Sequence, residues 1–197
     1  MRGRRWTWGT RKRAGVNRVA MPHLDSGTLE TRLRALPAVP RDVGRVERVV
    51  QRLPGEQRVC PGVITLDIDQ GVRGDRWALG KSPSVAAQVT VMRADVASVL
   101  CDGDDYAILG DNLFVTLETS AEALPPGTRL AVGGATCEVT EKPHTGCSKF
   151  SARVGQDAWM LSRHPDWLPA QLRGVHLRVL QGGEVRDGDT ILVESRP

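Results

Sequence analysis

One loop concentrates the groups that could do chemistry: Lys142-Pro143-His144-Thr145-Gly146-Cys147-Ser148-Lys149. No packing period accounts for a cysteine at that point. Residues 148–154 have helical character, so the Cys147 thiol falls just ahead of a helix start, whose free N–H groups favour anions. Lys149, Arg153 and a protonated His144 add positive charge in this reading. Such surroundings lower a thiol pKa and raise the thiolate fraction. A thiolate can ligate a soft metal, attack an electrophile or carry a sulfane sulfur. His144 is suited to shuttling a proton or steadying the thiol, and Gly146 to close approach of the backbone to a ligand. His-x-x-Cys is a short signal, so by spacing alone an inert loop cysteine stays open as the alternative.

The other cysteines carry less. No pair among Cys60, Cys101, Cys137 and Cys147 has C-x-x-C spacing, which argues against a zinc ribbon or a thioredoxin-like site. Cys101 ends an apolar helical stretch and Cys137 alternates with Val139, so both read as small core residues. Cys60 lies in a loop before Pro61-Gly62 and has no assigned role. His176 alternates with Val175 and Leu177 and reads as a surface or pocket-rim residue. Trp77, beside Asp75, reads as core packing or as the wall of a pocket. The pairs Gly74-Asp75, Gly110-Asp111 and Gly188-Asp189 read as turns, with Gly110-Asp111 also able to frame a ligand.

These groups need a scaffold. Gly and Pro number 21 and 12, an excess that favours turns and short strands. Asp25 or Ser26 can cap a helix running to about Leu36. Strand patterns follow at 45–53, 63–68 and 86–92, with 71–80 read as loop and a helix at 93–101. Leu113, Val115 and Leu117 alternate, as do Val175, Leu177 and Val179. Strands 129–132 and 136–140 join through Gly133-Gly134 as a hairpin. Helical turns follow at 148–154, with Gly155 as the C-cap, and through 157–172, where Trp159, Met160 and Leu161 cover the sheet. Strands at 184–186 and 191–193 close the chain. The pattern predicts a mainly β fold, a barrel with a few peripheral helices.

Charge separates the chain into two parts. Residues 1–20 hold seven basic groups and no acid, while the rest holds 20 basic and 23 acidic groups. The net charge of +4 therefore belongs to the N-terminal stretch, and no nucleic-acid partner is expected for the rest. Residues 1–22 are expected to be a disordered basic extension, with a nucleic-acid arm or a targeting peptide as alternatives. Residues 23–197 are expected to form one domain. No apolar run reaches the roughly 18 residues needed to cross a bilayer. Free thiols and the absence of an apolar signal stretch lead to an expected cytoplasmic location.

Several runs together resemble the MOSC domain, the C-terminal domain of molybdenum cofactor sulfurases that also occurs as small stand-alone bacterial proteins. They are Leu109-Gly110-Asp111-Asn112-Leu113, Pro126-Gly127-Thr128-Arg129-Leu130 with Gly133, and Cys137-Glu138-Val139-Thr140. They continue with His144-Thr145-Gly146-Cys147-Ser148-Lys149-Phe150, Arg153-Val154-Gly155 and Arg173-Gly174-Val175 through Gly188-Asp189. The resemblance covers about 105–193 well and weakens toward 45. It implies a MOSC-type β-barrel with one functional cysteine, which falls on Cys147. It implies molybdenum cofactor, molybdenum held by a pterin dithiolene, as the cofactor, with Cys147 as metal ligand. It also implies Lys149, Arg153, Asn112 and Thr145 as cofactor-binding candidates and His144 as Cys147's catalytic companion. In some relatives this chemistry reduces N-hydroxylated compounds. A metal-free persulfide carrier and a non-catalytic binding subunit are the alternatives, and the implied partners are a cysteine desulfurase or an electron-donor protein. Pyridoxal phosphate is not expected, since its desulfurase domain is missing. Many family members carry Gly-Asp-x-His-x-Gly-Gly, where this chain has Gly74-Asp75-Arg76-Trp77-Ala78-Leu79-Gly80, without the His or the double Gly.

Overall fold

A computed structural model describes residues 23–197; the expected disordered extension over 1–22 lies outside them. In chain order the elements are α1 (Ser26–Arg34), β1 (Val43–Val49), β2 (Gln51–Arg52), β3 (Arg58–Val59), β4 (Val63–Asp67), β5 (Gly71–Val72), β6 (Val89–Arg93) and α2 (Ala94–Cys101). They continue with β7 (Leu113–Val115), β8 (Arg129–Val132), β9 (Ala135–Val139), α3 (Ser148–Val154), α4 (Gln156–Leu161), β10 (Val175–Gln181), β11 (Gly183–Arg186) and β12 (Thr190–Ser195). The fold is mainly β, as expected. The strands β1-β12-β8-β9-β10-β6-β7 form a closed barrel, and β11-β4-β5 form a small sheet beside it.

Alternation places one face of each barrel strand inside. Val46, Val49, Val89, Val91, Leu113, Val115, Leu130, Cys137, Leu177 and Ile191 fill the interior. Leu113 and Val115 point inward, while Phe114 between them points outward into a second apolar cluster with Leu29, Met92, Leu100 and Phe150. That outer cluster is where the helices lie. Strands covered on both faces read as continuous apolar runs, as Val89 to Met92 do.

The β6–β7 pair is parallel, and the other barrel pairs are antiparallel. A parallel pair needs a crossover of a dozen or more residues, which α2 and a 3₁₀ turn at Tyr106–Leu109 supply. The Val132–Ala135 hairpin pairs through Gly133-Gly134 as expected. The Asp25 side chain caps α1, accepting from Thr28 N–H at 2.9 Å.

Three expectations need correction. The segment at 45–53 is two strands, broken at Val50, and β2 pairs only with β3 across a 3₁₀ turn at Pro54–Glu56. The segment at 71–80 is not all loop. It holds β5 and a 3₁₀ turn at Arg76–Leu79 capped by Asp75. Met160 does not cover the barrel, being 55% exposed. Among the described residues, no helix is long and apolar enough to cross a membrane.

Candidate functional site

Five segments converge at one end of the barrel: the Lys142–Lys149 loop with α3, the β2–β3 hairpin, the 3₁₀ turn at Arg76–Leu79, Gly110-Asp111 ahead of β7, and Arg173 ahead of β10. They enclose a cavity of about 120 Å³ whose charged lining is Arg52, Arg76, Asp111, Lys149, Arg153 and Arg173, with His144, Thr145 and Cys147. Cys147 also borders a shallower cleft of about 290 Å³ on its other side, formed with Ser151, Gln156, Trp159 and Arg163.

Cys147 is the N-cap residue of α3 and is exposed. Burial of part of the side chain pushes its thiol pKa up. The backbone N–H groups of Phe150, Lys149 and Cys147 itself, together with the Arg173 charge, outweigh that and hold it below the ordinary thiol value. The helix-start argument made from the sequence is therefore met by the geometry. The other thiols differ. Cys60 is pushed up by desolvation, and Cys137, sealed inside the barrel, is pushed up to about 12. Iodoacetamide labelling read by peptide mass spectrometry is expected to follow this order. Only the thiolate reacts, so the labelling rate rises with pH through each pKa. The Cys147 rate is expected to reach half its plateau at lower pH than Cys60, with Cys137 unlabelled in the folded protein. Cys60 labelling ahead of Cys147 would contradict the arrangement.

His144 lies beneath the thiol loop with its side chain 9% exposed. Its Nε2 is 3.3 Å from Arg173 Nη2 and 3.4 Å from Asp111 Oδ1. Desolvation, then the neighbouring Arg173 charge, then His176, hold its pKa well below the ordinary histidine value. His144 is therefore neutral at neutral pH, which corrects the expectation of a protonated histidine adding charge. The cation in that place is Arg173. Its guanidinium donates to Asp111 Oδ2 at 3.0 Å and lies over the Phe150 ring at 4.3 Å. His176 also departs from expectation. It is buried, its Nδ1–H donates to the Lys142 carbonyl at 3.1 Å, and its ring centre is 4.3 Å from that of His144. It props the loop from below.

Lys149 and Arg153 project from α3 toward the hairpin, where both pair with the Glu56 carboxylate, Arg153 at 3.2 Å. Thr145 is exposed on the cavity wall. Asn112 is placed differently from the expectation. It is wholly buried, donates to the Val50 carbonyl and to Asp75 Oδ2, and accepts from Thr90. Its amide is spent on tying β1, β6 and the Asp75 turn together, so it supports the site and does not face it. Gly146 is likewise close to protein and not to open space. A Cβ there would lie 2.6 Å from Phe150 Cδ1, and its carbonyl accepts from Trp159 Nε1 and Arg163 Nη2.

Three residues of this region, Arg52, Arg58 and Arg173, carry no functional signal of their own in the sequence. Arg52 donates through Nε to both carboxylate oxygens of Asp75, whose side chain is fully buried. Arg58 is its cross-strand partner in the hairpin. Buried among Arg153, Arg76 and Arg52, it has its pKa lowered by desolvation first and by those charges next. Arg173 stands within a family-like run with no signal of its own. Gly110-Asp111, which the sequence marks as able to frame a ligand, does line the cavity. Five buried nitrogens in this region have no hydrogen-bond partner: Arg52 Nη2, Arg58 Nε, Arg58 Nη2, Arg173 Nε and His144 Nδ1. Buried donors are normally paired, so this cluster marks a place built to receive acceptor atoms.

The family model of the MOSC domain matches residues 94–192. No curated protein matches the chain. Among solved structures, the chain is similar to the YuaD protein of Bacillus subtilis, with 17% identity, a TM-score of 0.56, and coverage of 79% of this chain and 97% of that one. It is also similar to YiiM from Escherichia coli, with 17% identity, a TM-score of 0.54, and coverage of 78% and 71%. At these identities the likeness is one of fold.

Proposed function

The chain belongs to the MOSC domain family, and on that premise we propose that it binds molybdenum cofactor, with the Cys147 thiolate as metal ligand and the basic cavity holding the cofactor's phosphate. The observation that carries this reading is the unpartnered, buried guanidinium nitrogens of Arg52 and Arg173, both in the cavity lining, beside an exposed thiol of lowered pKa. Charge-assisted bonds from guanidinium to phosphate are among the stronger polar contacts, and thiolate is a suitable soft ligand. A volume of about 120 Å³ suits one phosphate-sized group, well below the roughly 300 Å³ at which pockets for whole drug-sized ligands begin.

When bound, the cofactor would supply two-electron chemistry at molybdenum, of the kind that reduces N-hydroxylated compounds. The protein's own part is to bind and orient. Arg52 and Arg173, with Lys149 and Arg153, neutralise the anion, and the N–H groups at the start of α3 lower the Cys147 thiol pKa. His144 stays neutral, so its ring offers a hydrogen-bond acceptor to Arg173 beneath the thiol loop without adding charge. Trp159 and Arg163 fix the Gly146 carbonyl and thereby the entry to Cys147. The cleft of about 290 Å³ on the far side of the thiol leaves room for a second reactant.

The test is the molybdenum and pterin content of protein purified from cofactor-competent cells, by elemental mass spectrometry. About one molybdenum per chain is expected for the wild type, and loss of the metal in Cys147→Ala. Equal metal in both proteins rejects the ligand assignment. The exposure of Cys147 also favours a second reading, a persulfide carrier fed by a cysteine desulfurase. Metal-free wild type that gains one labile sulfur at Cys147 after incubation with desulfurase and cysteine would establish that reading.

A further inference from the structure

The β2–β3 hairpin stands apart from the barrel. Its strands pair only with each other, Gln51 with Val59 and Arg52 with Arg58, and so short a two-stranded unit has little stability of its own. Its tip carries two consecutive residues in the left-handed region, Gly55 at φ +69° and Glu56 at φ +62°. Glycine adopts that conformation freely, but a glutamate there is strained. The strained turn puts the Glu56 carboxylate between Lys149 and Arg153 of α3. The Glu56 carbonyl meanwhile accepts from Arg58 Nη1, whose Nε and Nη2 remain unpartnered. An anion held on two cations of the cavity lining is thus supplied by the chain itself, in addition to the Asp111 carboxylate that pairs with Arg173.

We infer that Glu56 is a built-in competitor for the cavity's ligand: a phosphate-type dianion enters by exchanging with the Glu56 carboxylate on Lys149 and Arg153, and the hairpin tip swings away. The inference rests on the reading of the cavity as an anion site. A dianion can take over both cations that Glu56 holds and also meet Arg52 and Arg173, which line the same cavity and each keep an unpaired nitrogen. A singly charged group gains little beyond what the carboxylate already provides. The exchange involves no covalent change, and release of the tip also relaxes the backbone at Glu56.

The experiment is isothermal titration of the full chain with sulfate as the dianion probe, at fixed ionic strength, for the wild type, Glu56→Gln and Glu56→Ala. Each variant is first checked for a wild-type thermal midpoint, as expected for an exposed side chain. Both variants are expected to bind sulfate about tenfold more tightly, the scale of two exposed ion pairs that no longer have to be broken. Glu122→Gln removes an exposed carboxylate paired with Arg41 outside the cavity, and is expected to leave the affinity unchanged. That control separates competition from a general change in charge. In the wild type, sulfate is also expected to speed amide exchange at 54–58. Equal affinities for wild type and both Glu56 variants overturn the inference while the anion site stands. Sulfate binding by none of them overturns the anion site itself, and the inference with it.

Discussion

Replacing Arg173 with methionine is expected to lower the unfolding free energy by about 3–5 kcal/mol, the cost of stranding one member of a buried ion pair. Urea unfolding measures it. The side chains of Arg173 and Asp111 are 7% and 1% exposed. Asp111 takes its charged hydrogen bonds from Arg173, Nη1 at 3.0 Å and Nη2 at 3.4 Å, and otherwise meets only the neutral His144 at 3.4 Å. Methionine fits the space beside Met92 and Phe150 but leaves the carboxylate without a countercharge. Removing both charges is different, because the desolvation cost of each ion disappears with it. Arg173→Met combined with Asp111→Asn is therefore expected to recover most of the loss, with a double-mutant coupling of about 2–3 kcal/mol. A single Arg173→Met variant that loses under about 1 kcal/mol would show that the pair is not what ties β10 to the β6–β7 end of the barrel.

The parts of this molecule that were legible in the sequence are those set by local pattern. Leu113/Val115, Val175/Leu177/Val179 and Ile191/Val193 alternate because a barrel wall has one inner face, and that period survives without knowledge of partners. Barrel closure is a different kind of fact. β1 pairs with β12 from the far end of the chain and with β7, and nothing within 43–49 names either partner. The two-residue strands β2, β3 and β5 are too short to show a period. The site divides the same way. Cys147, Lys149, Arg153 and Thr145 share one stretch of chain, so their company was visible. Arg52, Arg58, Asp111 and Arg173 are brought there by topology, and an arginine bound for a buried carboxylate looks like any surface arginine beforehand. His144 shows the limit most directly. Its neighbours in sequence suggested a cation, but its burial and the Arg173 guanidinium at 3.3 Å decide that it is neutral. Of the three Gly-Asp pairs, Gly188-Asp189 keeps its carboxylate on its own turn, with Asp189 accepting from Arg186 N–H. Asp111 and Asp75 use the same turn to aim a carboxylate inward.

Asp75→Ala is expected to be as damaging as the loss of Arg173, again about 3–5 kcal/mol, and to act on the opposite wall of the cavity. The Asp75 carboxylate accepts from the Arg52 backbone N–H at 2.8 Å, from Arg52 Nε, from Trp77 N–H at 2.8 Å and from Asn112 Nδ2 at 3.0 Å. These donors come from the hairpin, from the 3₁₀ turn that follows Asp75 and from the entry to β7. Truncation removes the Arg52 guanidinium's ion pair with Asp75, while Arg52 Nη2 has no partner among the described residues, and it frees one donor of the buried Asn112. Asp75→Asn keeps the volume and one acceptor oxygen but gives up the charge, so its loss should fall between those of wild type and alanine. The two variants also differ from Arg173→Met in a way that locates the effect. Hydrogen exchange should quicken first at 51–59, because Asp75 is the hairpin's buried link to the barrel, whereas Arg173→Met should act on β6 and β10. Where the family pattern has a histidine two residues after this aspartate, the chain has Trp77, yet the aspartate keeps four hydrogen bonds that do not involve that side chain. Should Asp75→Ala unfold at the wild-type urea midpoint with exchange at 51–59 unchanged, the hairpin must be held by Glu56 and α3 alone, and Asp75 would be no more than a cap for its own turn.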